Sequence, residues 1–469
     1  MKININLFPS HKISLLGLLL LCFVIVSSCE QEDDAGKAPR HVSEINNFIW
    51  ENMDIYYFWR DKMPRNIDRS RELDSKAYFS KLLYKDDIWS IITDDYQELN
   101  DRLSGIEKSA GFSFKLLRVT TGSSDIIGVV ELVYPNSSAA NTGIKRGDIF
   151  VKVDDQNLTI NNYQTLLFGR DQYKITLGEV IDGQAVENGT SYNLTTQTLN
   201  INPIFYADVI ETPQANIGYL VYNQFISEYN DQLRNTFAEF KANGVNELVL
   251  DLRYNPGGAV LSATLLASLI APKSTIAGNN IFMRYIWNSV IEEYMLGRPE
   301  GEENLIIRFK DEEANLNLSR VHILTTRNTA SSSELIINCL KPYMDVVVIG
   351  EATSGKYTGS ITLNDEDEKH NWAIQPIVLK SANVNGETDY RFGLAPDVLA
   401  LDDLFYPLGS LDETLLGLAY LNITGSEPAR FGRVAAYHQD QIITSVHNIP
   451  YAQRSSMDLD VDILPLLDE

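Results

Sequence analysis

The sequence predicts a multidomain α/β protein, and three textures along its 469 residues predict it. His41 to about Leu103 sets apolar residues at helical spacing. Lys108 to Thr198 reads as strands and turns, and Asn202 to Thr424 alternates strand with helix. The length suits two to four domains. An apolar content of 44% is ordinary for a chain that buries real cores.

Before the folded body comes a targeting segment, residues 1–28. Lys2, His11 and Lys12 precede the apolar run Ile13 to Val26. A run of about 14 apolar residues after a short basic region reads as a secretory signal, and it is too short for a comfortable membrane span. The segment ends in Val26, Ser27, Ser28 and Cys29, which resembles a bacterial lipobox. That resemblance implies lipidation of Cys29. The polar run "EQEDDAGKAP" then makes residues 29–42 an acidic tether. Its acids resemble surface-export signals of some Gram-negative lipoproteins. The expected location is therefore the cell envelope, lipid-anchored in the outer membrane, facing the periplasm or the outside.

Charge narrows the partners. The chain carries 39 basic and 63 acidic residues; two lysines leave with the signal, so 37 face 63 and the remainder is net −26. This balance disfavours nucleic acid and anionic membrane surfaces, which need a cationic footprint. Cysteine excludes more. Cys22 leaves with the signal and Cys29 carries lipid, so Cys339 alone remains and no disulfide framework can form. No CxxC pair exists for a structural zinc site.

Residues 43–105 are expected to form a helical N-terminal domain. "INNFIWENMDIYYFW" places Ile45, Phe48, Ile49, Met53 and Tyr56 three and four apart, and "MPRN" breaks the run at Pro64. Residues 108–200 resemble a PDZ domain in their order of parts. Pro135, Ala139 and Ala140 lead a short helix, Gly143-Ile144 ends it, and Lys145 to Val153 forms the turn and strand after it. Gly111, Phe112, Ser113 and Phe114 look like the carboxylate-binding loop of such a domain, while also reading as an ordinary strand start. A glycine-opened loop directs N–H groups at a terminal carboxylate, and the adjoining strand edge accepts an extended peptide.

Residues 202–424 supply the α/β core. "IGYLVYNQF" is a strand, and "YNDQLRNTFAEFKANG" a helix with Leu233, Phe237 and Phe240 on one face and Gly244 at its end. "ELVLDLR" is a buried strand, and "AVLSATLLASLIAP" a helix stopped by Pro272. "RVHILTT", "SSELIINCLK", "DVVVIG" and "NWAIQPIVLK" follow as strand, helix, strand and strand. Residues 425–469 form a C-terminal extension with no assigned role.

"GEATSGKYTGS" nearly spells a phosphate loop, with Gly350, Gly355 and Lys356 in place. A phosphate loop needs a helix after its lysine. Here "YTGSITLNDEDE" reads as turn and strand, and Tyr357 replaces the hydroxyl that would hold Mg²⁺. No nucleotide is expected. Ser331, Ser332 and Ser333 open a predicted helix, with Glu334 behind. An N-cap explains such a cluster. So does a nucleophile beside the free N–H groups and positive end of the helix, which suit an oxyanion. The six histidines offer no G-x-S-x-G or H-E-x-x-H context. A lysine serves as base if burial keeps it neutral, and Lys356 emerges from an apolar strand.

"LVLDLRYNPGG", "TASSSELI" and "GEATSGKYTGS", in this order, resemble the C-terminal processing peptidases, or tail-specific proteases. That family joins a PDZ domain to an α/β serine-peptidase core of ClpP/crotonase-like type, and the resemblance spans roughly residues 43–424. It implies Ser331 as nucleophile, Lys356 as base, and the amides of Gly258 and Ser332 as oxyanion hole. Gly257, Glu334 and Thr353 match supporting positions. Many relatives carry a glutamine four residues after the lysine; Ser360 stands there in this sequence. The implied activity is a serine endopeptidase without metal or cofactor, acting on proteins or peptides with accessible C-termini. The alternative is a non-catalytic peptide-binding lipoprotein on the same scaffold.

Overall fold

The computed structural model describes residues 36–428 and two short strands, Ile442–Thr444 and Met457–Asp458. The signal segment, Cys29 and most of the tether lie outside the described residues.

Helix α1 (Arg40–Tyr56) buries Ile45, Ile49, Met53 and Tyr56, the face its periodicity predicts. It stops well before Pro64. Tyr57 turns extended, and its buried hydroxyl donates to Asp87 at 2.8 Å. Asp74 caps α2 (Ser75–Leu82) by accepting from the N–H groups of Lys76 and Ala77. Strand β1 (Ile91–Thr93) and α3 (Tyr96–Leu103) complete this region. It has no core of its own. Ile49, Met53, Phe79 and Leu82 share one apolar cluster with Leu220, Phe237, Leu266 and Ile336, and β1 pairs with Ala373–Gln375. The expected helical domain is thus a layer fused to the α/β body.

The next region is β-rich. Strands β2 (Phe112–Arg118), β3 (Ile126–Val133) and β4 (Ile149–Val153) lie side by side. Helix α4 (Tyr163–Leu167) precedes β5 (Gln172–Ile181) and β6 (Gln184–Thr195), which extend the same antiparallel sheet. Phe112, Phe114, Phe150 and Ile175 centre a separate core. The expected short helix after Pro135 is a run of turns instead. Ser137 Oγ accepts from Ala140 N–H and donates to Gly111 O, while Thr142 Oγ1 donates to Ala139 O. Such side-chain bonds compete with helical ones.

In the α/β body, β7 (Ile204–Glu211) runs antiparallel to β8 (Asn216–Tyr222). Helix α5 (Asn230–Ala242) leads to β9 (Glu247–Asp251), and β10 (Gly258–Ala259) opens into α6 (Val260–Ile270). Strand β11 (Ile281–Trp287) belongs to a second sheet. Strand β12 (Arg320–Thr325), α7 (Ser332–Leu340), β13 (Asp345–Gly350), β14 (Thr358–Ser360) and β15 (Ile377–Ala382) follow, then β16 (Val398–Leu399) and α8 (Thr414–Thr424). The main sheet has the order β7-β8-β9-β12-β13-β16, parallel after its first pair. Alternation explains why its centre reads as continuous apolar runs. Leu220, Leu250 and Ile323 point to the large core, whereas Tyr219, Val249 and Leu324 pack against Leu415 and Leu416 of α8. "NWAIQPIVLK" splits into two strands, Ala373–Gln375 and β15. Pro376 has no N–H for a ladder, which separates them. The last two elements are β17 (Ile442–Thr444) and β18 (Met457–Asp458).

Candidate active site

Ser331 sits between β12 and α7, fully buried, with φ +58° and ψ −114°. A residue with a Cβ enters this region at a cost of about 1–3 kcal/mol, so the surroundings must hold it there. Two strand ends do so. Ala330 N–H and the Ser333 hydroxyl both donate to Asn255 O, each at 3.1 Å, and Thr329 Oγ1 donates to Leu252 O at 2.8 Å. Among the described residues, Ser331 Oγ has no hydrogen-bond partner.

The glycine loop after β9 is built around Asn255, whose side chain donates to Tyr222 O at 2.8 Å and accepts from Gly257 N–H at 2.9 Å. Gly258 has φ +133°, and a Cβ there would meet Phe225 O at 2.1 Å, so only glycine fits. The Ser332 hydroxyl donates to Gly258 O at 2.7 Å. This bond fixes the glycine peptide against the start of α7, where the first N–H groups have no intrahelical acceptor.

Glu334 links the serine to the lysine. Its Oε2 accepts from the N–H groups of Ser331 and Lys356, both at 2.8 Å. The two nitrogens therefore lie within twice that distance of each other. Oε1 accepts from the Thr353 hydroxyl at 2.5 Å and Gly355 N–H at 2.7 Å. Burial pushes the Glu334 carboxyl up to about 7, against the pull of these four bonds. Thr353 is held in turn, because its Oγ1 accepts from Leu394 N–H at 2.7 Å.

Lys356 is 1% exposed, and its Nζ lies 5.4 Å from the centroid of the Trp89 ring. Trp89 escaped the sequence reading. It lies far away in the chain and carries no motif; Asp87 anchors it by accepting its N–H at 2.9 Å. Ser360 is buried in β14, yet its hydroxyl makes no hydrogen bond among the described residues, to Lys356 or otherwise. The segment after Lys356 is the strand β14, so the phosphate-loop geometry is absent there. His322 is buried in β12 and pairs with Asn422 Oδ1 at 2.8 Å, remote in role from Ser331. His370 stacks edge-on against Phe48.

A buried ionic network backs the glycine loop. Arg253, fully buried, reaches Asp251 at 2.8 Å, Asp402 at 2.9 Å and Glu413 at 2.6 Å. Arg146 of the β-rich region joins it through Asp402 at 2.5 Å and the Tyr254 hydroxyl. Burial would raise the Asp402 carboxyl, yet Arg146 and Arg253 hold it below the usual carboxylate range. Asp402, Asp403 and Glu413 cluster closely enough to ligate a metal, but the arginines already neutralise two of them.

The other sequence-predicted group, Gly111–Phe114, belongs to the β-rich region with its own core. Gly111 has φ +88°, and its carbonyl accepts from Tyr134 N–H and the Ser137 hydroxyl. Phe112 and Phe114 turn into the core of the β-rich region. Ser113 is buried, with its hydroxyl unbonded among the described residues.

Comparisons with known proteins agree with this layout. The family model described as peptidase family S41 matches residues 216–400, and that described as the peptidase S41 N-terminal domain matches 44–96. A carboxyl-terminal-processing protease of Picosynechococcus is 23% identical over 357 residues, covering 73% of this chain and 78% of the relative. The carboxy-terminal processing protease CtpA of Bacillus subtilis is 25% identical over 278 residues, covering 58% of this chain and 53% of the relative. A crystal structure named as an S41 protease of Bacteroides fragilis superposes with a TM-score of 0.67 at 27% identity, over 81% of this chain and 97% of that one. The chain belongs to peptidase family S41, with the C-terminal processing peptidases, and is a peptidase of the serine type.

Proposed function

We propose that this chain is an exported, lipid-anchored endopeptidase that cleaves peptide bonds with Ser331 and Lys356. The observation that carries the proposal is the Glu334 carboxylate, whose Oε2 accepts from the backbone N–H of both residues. Lys356 takes the Ser331 proton, Ser331 Oγ attacks the carbonyl, and the amides of Gly258 and Ser332 receive the oxyanion. Lys356 returns the proton to the leaving amine, and water releases the acyl-enzyme. The base must be an uncharged amine. Burial at 1% exposure supplies the desolvation that favours it, while the Trp89 ring face favours the cation. Thr353 and Gly257 hold the frame, and Ser360 lines the strand beyond the lysine. The β-rich region acts as a PDZ domain that recognises substrate C-termini near Gly111–Phe114. Cys29 carries the lipid that holds the body at the outer membrane, facing the periplasm or the outside.

The test is a Ser331→Ala variant assayed with a quenched peptide bearing a free C-terminus. Cleavage should vanish while peptide binding persists. If the parent chain cleaves nothing under any condition yet binds the peptide, the non-catalytic scaffold stands instead. The pH–rate profile of the parent should rise with loss of one proton from a basic group. A Cys29→Ala variant should leave the membrane fraction.

A further inference from the structure

The C-terminal extension, to which the sequence assigns no role, contributes strands to two sheets. β17 adds to the outer edge of β2, antiparallel, with Ile442 opposite Leu117 and Thr444 opposite Leu116. Its direction leads toward the Gly111–Phe114 loop. An extended segment added antiparallel to a sheet edge is the β-augmentation mode of peptide capture.

β18 enters the second sheet between β10 and β14. Met457 pairs with Gly258, Asp458 pairs with Ala259, and Asp458 also pairs with Ser360. These two host strands flank the candidate chemistry. β10 carries Gly258, the proposed oxyanion donor. β14 begins two residues beyond Lys356 and ends at Ser360. A backbone hydrogen-bonded to both rims occupies the course a bound substrate would take, because main-chain pairing is how a protease holds an extended peptide independently of its side chains.

From these two placements we infer that the extension is an intramolecular occupant of this chain's own peptide groove and cleft. Its partner strands are those that would receive a substrate. β17 fills the recognition edge and β18 fills the cleft, so a protein substrate must displace both. The enzyme is self-inhibited until a competing C-terminal segment arrives. This rests on the reading that Gly258 and Lys356 flank the scissile bond.

Tethering sets the size of the effect. A linked segment acts at an effective concentration of order millimolar for short flexible linkers. Against a weak strand–strand affinity of about 0.1 mM, that excludes competitors about tenfold.

The experiment reads binding rather than catalysis, so that its failure is separable from failure of the peptidase reading. In a Ser331→Ala background, a fluorescent peptide with a free C-terminus is titrated against the full chain and against a chain ending at Pro428. The shortened chain should bind about tenfold more tightly, and a synthetic peptide of residues 440–460 should compete it off. A full-length Met457→Pro, Asp458→Pro chain deprives β18 of backbone donors without deleting anything, and it should shift affinity in the same direction. It decides the matter if the shortened chain is misfolded by circular dichroism. Equal affinity of the full chain and the proline variant, within twofold, overturns the inference. So does failure of the 440–460 peptide to compete with a folded shortened chain. If no Ser331-bearing form cleaves peptide, the peptidase reading falls while the binding result stands by itself.

Discussion

Replacing Glu334 by Gln should separate stability from catalysis. The carboxylate takes two donors on each oxygen: Thr353 Oγ1 and Gly355 N–H on one, Ser331 N–H and Lys356 N–H on the other. A carboxamide keeps one oxygen. With its NH₂ toward Ser331 and Lys356 it meets two N–H donors; turned the other way it meets Gly355 N–H, while the Thr353 hydroxyl can accept from it. Losing one or two hydrogen bonds to a charged group removes about 1.5–6 kcal/mol. Against this, the carboxyl rises to about 7 with its four bonds already counted, so burial opposes its charge by more than about 3 kcal/mol, and the neutral amide escapes that opposition. The net loss is therefore at most about 3 kcal/mol. Geometry receives no such offset. Repulsion moves Ser331 and Lys356 directly in one orientation and Gly355, the neighbour of Lys356, in the other, and a shift of order 1 Å lowers kcat by about 100-fold. The assay pairs kcat for a peptide substrate with a thermal melt at pH 8. The parent melt should also depend on pH. The folded carboxyl holds its proton more tightly than the unfolded one, so the folded state carries the extra proton between pH 4.5 and about 7. Parental stability therefore declines as pH rises through that window, and the amide variant should lose the decline. A folded variant that cleaves within threefold of the parent would refute the claim that Glu334 sets the dyad.

Three further outcomes follow from the site. Ser331→Gly should be inactive yet melt above Ser331→Ala, by about 1 kcal/mol of stability, because glycine accepts φ +58° without strain; equal melting points would contradict it. Gly258→Ala should lower kcat by about 10²–10³-fold, since its Cβ collides with Phe225 O at 2.1 Å and displaces the proposed oxyanion donor; near-parental kinetics would remove Gly258 from the proposed mechanism. Arg253→Met strands two buried carboxylates, Asp251 and Glu413, and leaves Asp402 with Arg146 alone, so it should destabilise the chain by about 3–5 kcal/mol in urea unfolding.

Much of the body was legible because its physics is local. Apolar runs gave β9, β12 and β13, and periodicity gave α1 and α5. Three short motifs pointed to Ser331, Glu334, Lys356 and the Gly257-Gly258 pair, and in the structure Glu334 joins the backbones of Ser331 and Lys356. What stayed hidden depends on distant parts of the chain. Trp89 meets Lys356 only because α1 and α2 fuse with the α/β core, and no spacing encodes that contact. The turns at Ser137–Thr142 arise from hydroxyls bonding to nearby backbone, which outweighed the alanines that suggested a helix. The strain at Ser331 is imposed by Asn255 and Glu334 from either side, and a serine run by itself carries no sign of it. The strand pairings of β17 and β18 depend on edges supplied by other strands, which a mixed acidic tail does not announce.

The single apolar cluster joining α1 and α2 to the protease body has a calorimetric consequence. Three regions are distinguishable along the sequence, but only two possess interiors of their own. Heating should therefore give at most two endotherms, one for the β-rich lobe and one for the helices and catalytic body melting as a unit, and excision of the first hundred residues should leave an insoluble remainder with its buried face opened to water.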